Sequence, residues 1–209
     1  MEPDNPLLKR AYALGGNARE IRALYRDWAE SYDADTVEGM GYVAPDEAAA
    51  ALAGELDGAA LVLDAGCGTG LVGEALSRRE VSGLLIDGID LSAGMLEQAA
   101  EKNVYRKLSE ADLTKPLDMP ANSYDGVVSV GVFTSGHVGP QAMEELARVA
   151  RPGAPVVVTV HEKVWEPDGY PDHLKAMEKK GLVRVRAIRD AAYHEKEGYS
   201  CKLCVLEAA

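Results

Sequence analysis

A chain of 209 residues, 47% hydrophobic and 27% charged, suits one domain with a sizeable core. Its formal net charge of −12 argues against a nucleic acid as partner, because phosphate binding rests on clustered Lys and Arg. No apolar run approaches the roughly 20 residues of a membrane helix, which argues against a membrane. Three cysteines make no disulfide framework, and the opening "MEPDNPLLKR" lacks the basic-then-apolar pattern of a signal peptide. A reducing, cytoplasmic setting is therefore expected, for a monomer or a homodimer.

In chain order, residues 18–33 carry Ile21, Leu24, Tyr25, Trp28 and Tyr32 at spacings of three and four, which predicts an amphipathic helix. Residues 46–56 read as a second helix with Asp46 as N-cap after Pro45. A buried strand at 60–64 leads into "GCGTG", and a helix follows from about 71 to 79. Strand 83–90 precedes a helix at 93–103 capped by Ser92; a short strand at 104–109 and a longer one at 124–132 come next. "PQAMEELARVA" (140–150) is a helix between Pro140 and "RPG", and 154–162 is the fifth strand. A helix near 171–180 and strands at 182–189 and 199–207 complete the chain. The alternation predicts a doubly wound, mostly parallel sheet with helices on both faces, its last two strands pairing as an antiparallel edge hairpin. "RVRAIR" (184–189) fits a strand whose basic side chains face water, and Asp87 reads as a strand-edge residue facing solvent.

The loop after the first strand carries the chemistry. "GTGLVG" (68–73) matches the dinucleotide pattern G-x-G-x-x-G, but the match begins four residues beyond Asp64 rather than at the strand end. Asp64 would also face a pyrophosphate, and like charges in a confined site repel. S-adenosylmethionine, with an ammonium group, a sulfonium and no phosphate, turns Asp64 into an attraction, held directly or through water. A tight turn with no ligand needs fewer glycines than Gly66, Gly68 and Gly70. Asp90, ending the second strand, stands where such folds place a carboxylate that accepts bonds from ribose hydroxyls; a helix cap is its simpler role.

"LDAGCGTG", "GIDLSAGMLEQA", "EADL" and "LARVARPGAPVVVT" resemble successive motifs of the class I S-adenosylmethionine-dependent methyltransferases, over about residues 25–162. The resemblance implies a Rossmann-like seven-stranded sheet with an antiparallel last strand. It implies that Asp64, Gly66, Cys67 and Gly68 lie under the methionine part of the cofactor, and that Asp90 holds the ribose. Leu91 and Met95 would pack near the adenosine, Asp112 and the Leu113 backbone would face the adenine, and Ser129 to Val132 would close over the cofactor. "YRDWAESYD" and "GVFTSGHVGP" are similar to the small Williams–Beuren region methyltransferase-like proteins. The first 45 residues or so then form a helical lid over a single domain, 1–209.

The reaction so implied is methyl transfer from S-adenosylmethionine, leaving S-adenosylhomocysteine, to an oxygen or nitrogen of a small-molecule acceptor. His137 is the candidate base, with His161 behind it; Tyr32, on the lid, is the second catalytic candidate, while Trp28 reads as packing. Phe133 and the segment 162–180 are expected around the acceptor, and His173 and His194 on the surface. Cys201 and Cys204, at i and i+3 on a strand, face opposite sides, so neither a redox pair nor a metal site is expected. A non-catalytic S-adenosylmethionine-binding module, or a nicotinamide-dependent oxidoreductase, are the alternatives.

Overall fold

Seven strands form one sheet in the computed structural model, which describes residues 6–209; residues 1–5 of the expected lid lie outside them. They are β1 (Leu61–Ala65), β2 (Leu85–Asp90), β3 (Lys107–Glu110), β4 (Gly126–Phe133), β5 (Pro155–His161), β6 (Val183–His194) and β7 (Tyr199–Ala208), in the order 3-2-1-4-5-7-6. The first five pair in parallel, and β7 runs antiparallel between β5 and β6. The doubly wound, Rossmann-like sheet and its edge hairpin are as the alternation of elements dictates. β6 is longer than expected because it continues past Arg189 to His194, through two register shifts against β7.

Alternation along the central strands feeds two cores, one per face. Leu63, Val127, Val156, Val158 and Cys204 join one; Val62, Val128, Val157, Cys201 and Val205 join the other. The first is covered by α6 (Ala142–Val149), α7 (Glu162–Trp165) and α8 (Tyr170–Lys179). The second is covered by α3 (Ala44–Ala53) and α4 (Leu71–Ser77). Cys201 and Cys204 thus sit in different cores as thiols. A third, separate cluster belongs to the N-terminal segment: Leu8 and Ala11 of α1 (Pro6–Tyr12), Leu24 and Trp28 of α2 (Ala18–Trp28), and Met40.

Several local readings change. Asp46 is not the cap of its helix, which starts at Ala44; the aspartate lies in the first turn beside Pro45. Ser92 is the N-cap residue of α5 (Ala93–Glu101), as expected, but makes no side-chain cap bond. Asp87 is buried, because Arg106 takes both its oxygens at 2.9 and 2.7 Å and the Tyr124 hydroxyl adds a third bond. His194 is buried too, and His173 half-buried near Glu144. Phe133 packs in the core against Tyr170 rather than lining a pocket. Between α2 and α3 the chain forms a π-helical turn, Ala34–Met40, ended by Gly41 in the left-handed conformation.

Tyr105, just before β3, wedges into the glycine loop. A methyl carbon placed at Gly73 would lie 2.4 Å from the Tyr105 ring, and one at Gly70 2.9 Å. These two glycines therefore make room for a neighbouring side chain, not for a ligand. Gly73→Ala should gain about 1 kcal/mol of helix propensity and lose more to the clash, for a net loss of about 1–3 kcal/mol. Urea denaturation should show that loss, and should show it shrinking in a Tyr105→Ala background; an additive double variant would refute the wedge.

Candidate active site

β1 delivers Asp64 to the base of the glycine loop, where it is wholly buried. One carboxylate oxygen accepts the Tyr105 hydroxyl at 2.7 Å; the other, Oδ1, has no hydrogen-bond partner among the described residues. Burial raises the Asp64 carboxyl to about 7, although the Tyr105 bond works in the opposite direction. Gly66 turns the chain with φ +77° and cannot carry a side chain, since its Cβ would lie 2.2 Å from Val132. Gly68, also at positive φ, has no other atom within 4 Å of that position: here the loop faces open space.

Asp90, at the end of β2, bridges the loop and the next turn. Its carboxylate accepts Gly68 N–H at 2.9 Å and Ser92 N–H at 2.8 Å. Burial again raises its carboxyl, opposed by these backbone bonds. Two acids held against ionisation beneath one loop make an added anion unfavourable and a cation favourable. Asp112 lies further along the same edge, its carboxylate taken by Thr114 and by Lys115 at 3.1 Å. These contacts, outweighing its partial burial, hold it below the usual carboxylate range.

A cleft follows this edge. Tyr32, Gly66, Gly68, Asp90, Leu91, Met95, Asp112, Leu113 and His137 all line it. Three expected members do not. Asp64 lies beneath the loop, Cys67 is buried with its sulfur toward Gly88, and the Ser129 hydroxyl donates to the Ala65 carbonyl inside the sheet. Strand residues that alternate or twist away from the edge cannot reach the cleft, however near they stand in sequence. The segment 162–180 does not line it either; its side chains Val164, Trp165, Tyr170, Leu174 and Met177 pack in a core. It meets the cleft wall from behind, where the Tyr170 hydroxyl donates to the Val138 carbonyl.

The N-terminal segment supplies a wall of the cleft through Ile21, Arg22, Tyr25 and Tyr32. Arg22 Nε donates to the Leu91 carbonyl at 3.0 Å. Asp33 is the main strap: it accepts the Thr69 hydroxyl of the glycine loop and pairs with Lys102 at 2.8 Å, which also holds Glu74 at 3.1 Å. Gly16 N–H reaches the Gly136 carbonyl at 3.0 Å, tying the segment to the loop after β4.

His137 stands on that loop. Its Nδ1 lies 2.8 Å from the Ser135 carbonyl, which can only accept, so Nδ1 carries the proton. Nε2 is then the acceptor of the Tyr25 hydroxyl, at 2.8 Å. Burial lowers the imidazole below its ordinary value, so it is neutral and basic at Nε2. In the sequence Tyr25 reads only as one member of a helical stripe; its pairing with His137 spans 112 positions and leaves no local signal. His161 is fully buried, outside the cleft, and burial holds it at about 4. Between Ser129 and Phe133 the β4–β5 register shifts, an irregularity close to these residues.

The methyltransferase domain family matches residues 62–153. The chain is 41% identical over 156 residues to methyltransferase-like protein 27 of Homo sapiens, a match covering 73% of this chain and 62% of that protein. It is 33% identical over 106 residues to phosphatidylethanolamine N-methyltransferase of Cereibacter sphaeroides, covering 48% and 50%. The chain thus spans about half to three fifths of the length of these relatives. In structure it is similar to magnesium protoporphyrin IX methyltransferase of Synechocystis PCC 6803, solved with bound S-adenosylmethionine. The TM-score is 0.67 at 17% identity, with 91% of this chain and 97% of that one covered, a likeness of fold. With the glycine loop, the acid ending β2 and the sheet order, these matches identify residues 62–153 as a methyltransferase domain of the S-adenosylmethionine-dependent kind.

Proposed function

We propose that the chain transfers a methyl group from S-adenosylmethionine to an oxygen or nitrogen of a small molecule. The observation that carries this reading is the loop itself: open space over Gly68, with the unpartnered, buried Asp64 Oδ1 and the carboxylate of Asp90 beneath it. Such a cradle suits a ligand with cationic groups and opposes a pyrophosphate. A small acceptor fits the surface charge, since Arg184 and Arg186 are both held by Glu207 at 2.6 Å, and Arg189 by Glu47 at 3.0 Å. That basic strand is neutralised and offers little to a nucleic acid.

When bound, S-adenosylmethionine supplies an already activated methyl group. The chain's own part is to orient the acceptor, exclude water and move a proton where one must leave. Gly68, Asp90, Leu91, Met95, Asp112 and Leu113 would hold the cofactor; Asp64 would act on it by charge from below. Tyr25 and His137 form the proton route: a proton arriving at the Tyr25 oxygen is matched by transfer of the tyrosine proton to His137 Nε2. His137→Ala and Tyr25→Phe should both slow transfer to acceptors that arrive protonated, by about 10²–10⁴-fold for the histidine, and spare acceptors that arrive as free nucleophiles.

Calorimetry should show binding of S-adenosylmethionine and S-adenosylhomocysteine and none of NAD; tighter binding of NAD would overturn the reading. Labelled S-adenosylmethionine with a metabolite extract then separates an enzyme from a binding module. Asp90→Ala should weaken S-adenosylhomocysteine by about 1.5–3 kcal/mol, the range for a hydrogen bond to a charged group. Unchanged affinity in a folded variant would reduce Asp90 to a brace between Gly68 and Ser92.

A further inference from the structure

Behind the cleft lies a smaller chamber of about 20 Å³, room for one water-sized group. Tyr25, Tyr32, Gly131 and His137 line both spaces, so the two adjoin. Two buried polar atoms of residues lining the chamber, Thr134 Oγ1 and His194 Nδ1, have no hydrogen-bond partner among the described residues. Thr134 is 7% exposed and His194 4%. Among those residues no Asp, Glu, Lys or Arg lines the chamber, whose walls are the rings of Tyr25, Trp28, Tyr32 and Tyr193.

We propose that this chamber is the acceptor subsite, and that it takes an uncharged hydrogen-bonding group, a hydroxyl or carboxamide, at the end of a flat small molecule. The inference rests on the methyltransferase reading, in which the adjoining cleft holds the cofactor. A neutral group with a donor and an acceptor satisfies Thr134 and His194 together, whereas a carboxylate or phosphate meets no cation and bears the full desolvation cost. Burial holds His194 at about 4, so the imidazole offers no positive charge at neutral pH. The chamber admits only the polar tip. The body of the acceptor lies in the space shared with the cleft, beside the Tyr25–His137 pair.

Benzamide and benzoate, nearly the same shape and different in charge, test this on the full chain saturated with S-adenosylhomocysteine. Benzamide should bind at least tenfold more tightly than benzoate. Thr134→Val, which keeps the volume and removes the hydroxyl, should cut benzamide affinity by about tenfold and leave S-adenosylhomocysteine affinity as it was. Thr134→Ser should restore it. Equal affinity for the two probes, no binding of benzamide, or an indifferent Thr134→Val overturns the inference while the methyltransferase reading stands; a chamber that only holds a structural water gives these outcomes. If the wild-type chain fails to bind S-adenosylhomocysteine at all, the methyltransferase reading fails and the subsite with it.

Discussion

A protein lacking residues 1–33 should keep its sheet, bind S-adenosylhomocysteine at least tenfold more weakly and transfer no methyl group. The two cores that cover the sheet contain no residue before Tyr42, whereas Leu8, Ala11, Leu24 and Trp28 belong to the separate third cluster. The truncation therefore removes a satellite and uncovers Met40 together with Thr134, Tyr193 and His194 behind it. It also removes Ile21, Arg22, Tyr25 and Tyr32 from the cleft wall and Asp33 from Thr69 and Lys102. The tenfold estimate needs only about 1.4 kcal/mol of lost contact; loss of transfer follows because water enters and His137 loses Tyr25. Circular dichroism and calorimetry check fold and affinity separately. In the intact chain, S-adenosylhomocysteine should slow proteolysis between residues 15 and 40; equal cleavage with and without it would mean that the segment packs but does not close.

Asp64→Asn should make the ligand-free protein more stable relative to wild type as pH rises from 4 to 8, by on the order of 3–4 kcal/mol. The folded carboxyl titrates at about 7, because burial outweighs the Tyr105 bond, against about 3.9 in the unfolded chain. The folded state holds this proton more tightly, so the stability it contributes is complete below the unfolded value and is lost as pH climbs to 7. His161 and His194, both held at about 4 by burial, act in the opposite sense, costing stability as pH falls below about 6.5. The difference between variant and wild type isolates Asp64 from them. Affinity for S-adenosylmethionine should mirror this in the wild type, rising with pH up to about 7 and then levelling, and should lose that rise in Asp64→Asn. A flat difference in urea stability across the range would show that Asp64 is ionised throughout.

The fold was legible because its signals are local: short apolar runs, helical spacing, Pro140 and "RPG" around α6, and a glycine-rich turn after β1. What escaped depends on distant partners. Asp87 reads as a surface acid until Arg106 and Tyr124 are placed on it, and His194 reads as exposed until β6 is seen to run on past Arg189. The π-helical turn has no apolar period to announce it. In the cleft, Asp90 and His137 are legible from their positions after strands, because the carboxyl ends of parallel strands share one edge; Asp112 is legible only through the resemblance of "EADL" to a family motif. Ser129 and Cys67 share those neighbourhoods in sequence, yet their side chains turn inward. Tyr25, Arg22 and Thr134 carry no mark that separates them from ordinary helix and loop residues.

The Tyr105 wedge also constrains how this sequence can drift. Its ring leans on Gly70, Gly73 and Gly88, and its hydroxyl serves both Asp64 and Gly73 N–H. No single one of these positions can change freely, since any side chain at 73 or 88 meets the ring, and loss of the ring leaves Asp64 without its donor. Among related chains, residues with side chains at the places of Gly73 and Gly88 should appear together with a small residue at that of Tyr105. The acid at that of Asp64 should then be exchanged for a neutral group or gain a donor from elsewhere. An alignment deep enough to count such pairs would read, as co-variation between β1, α4 and the turn before β3, a contact that one sequence alone keeps hidden.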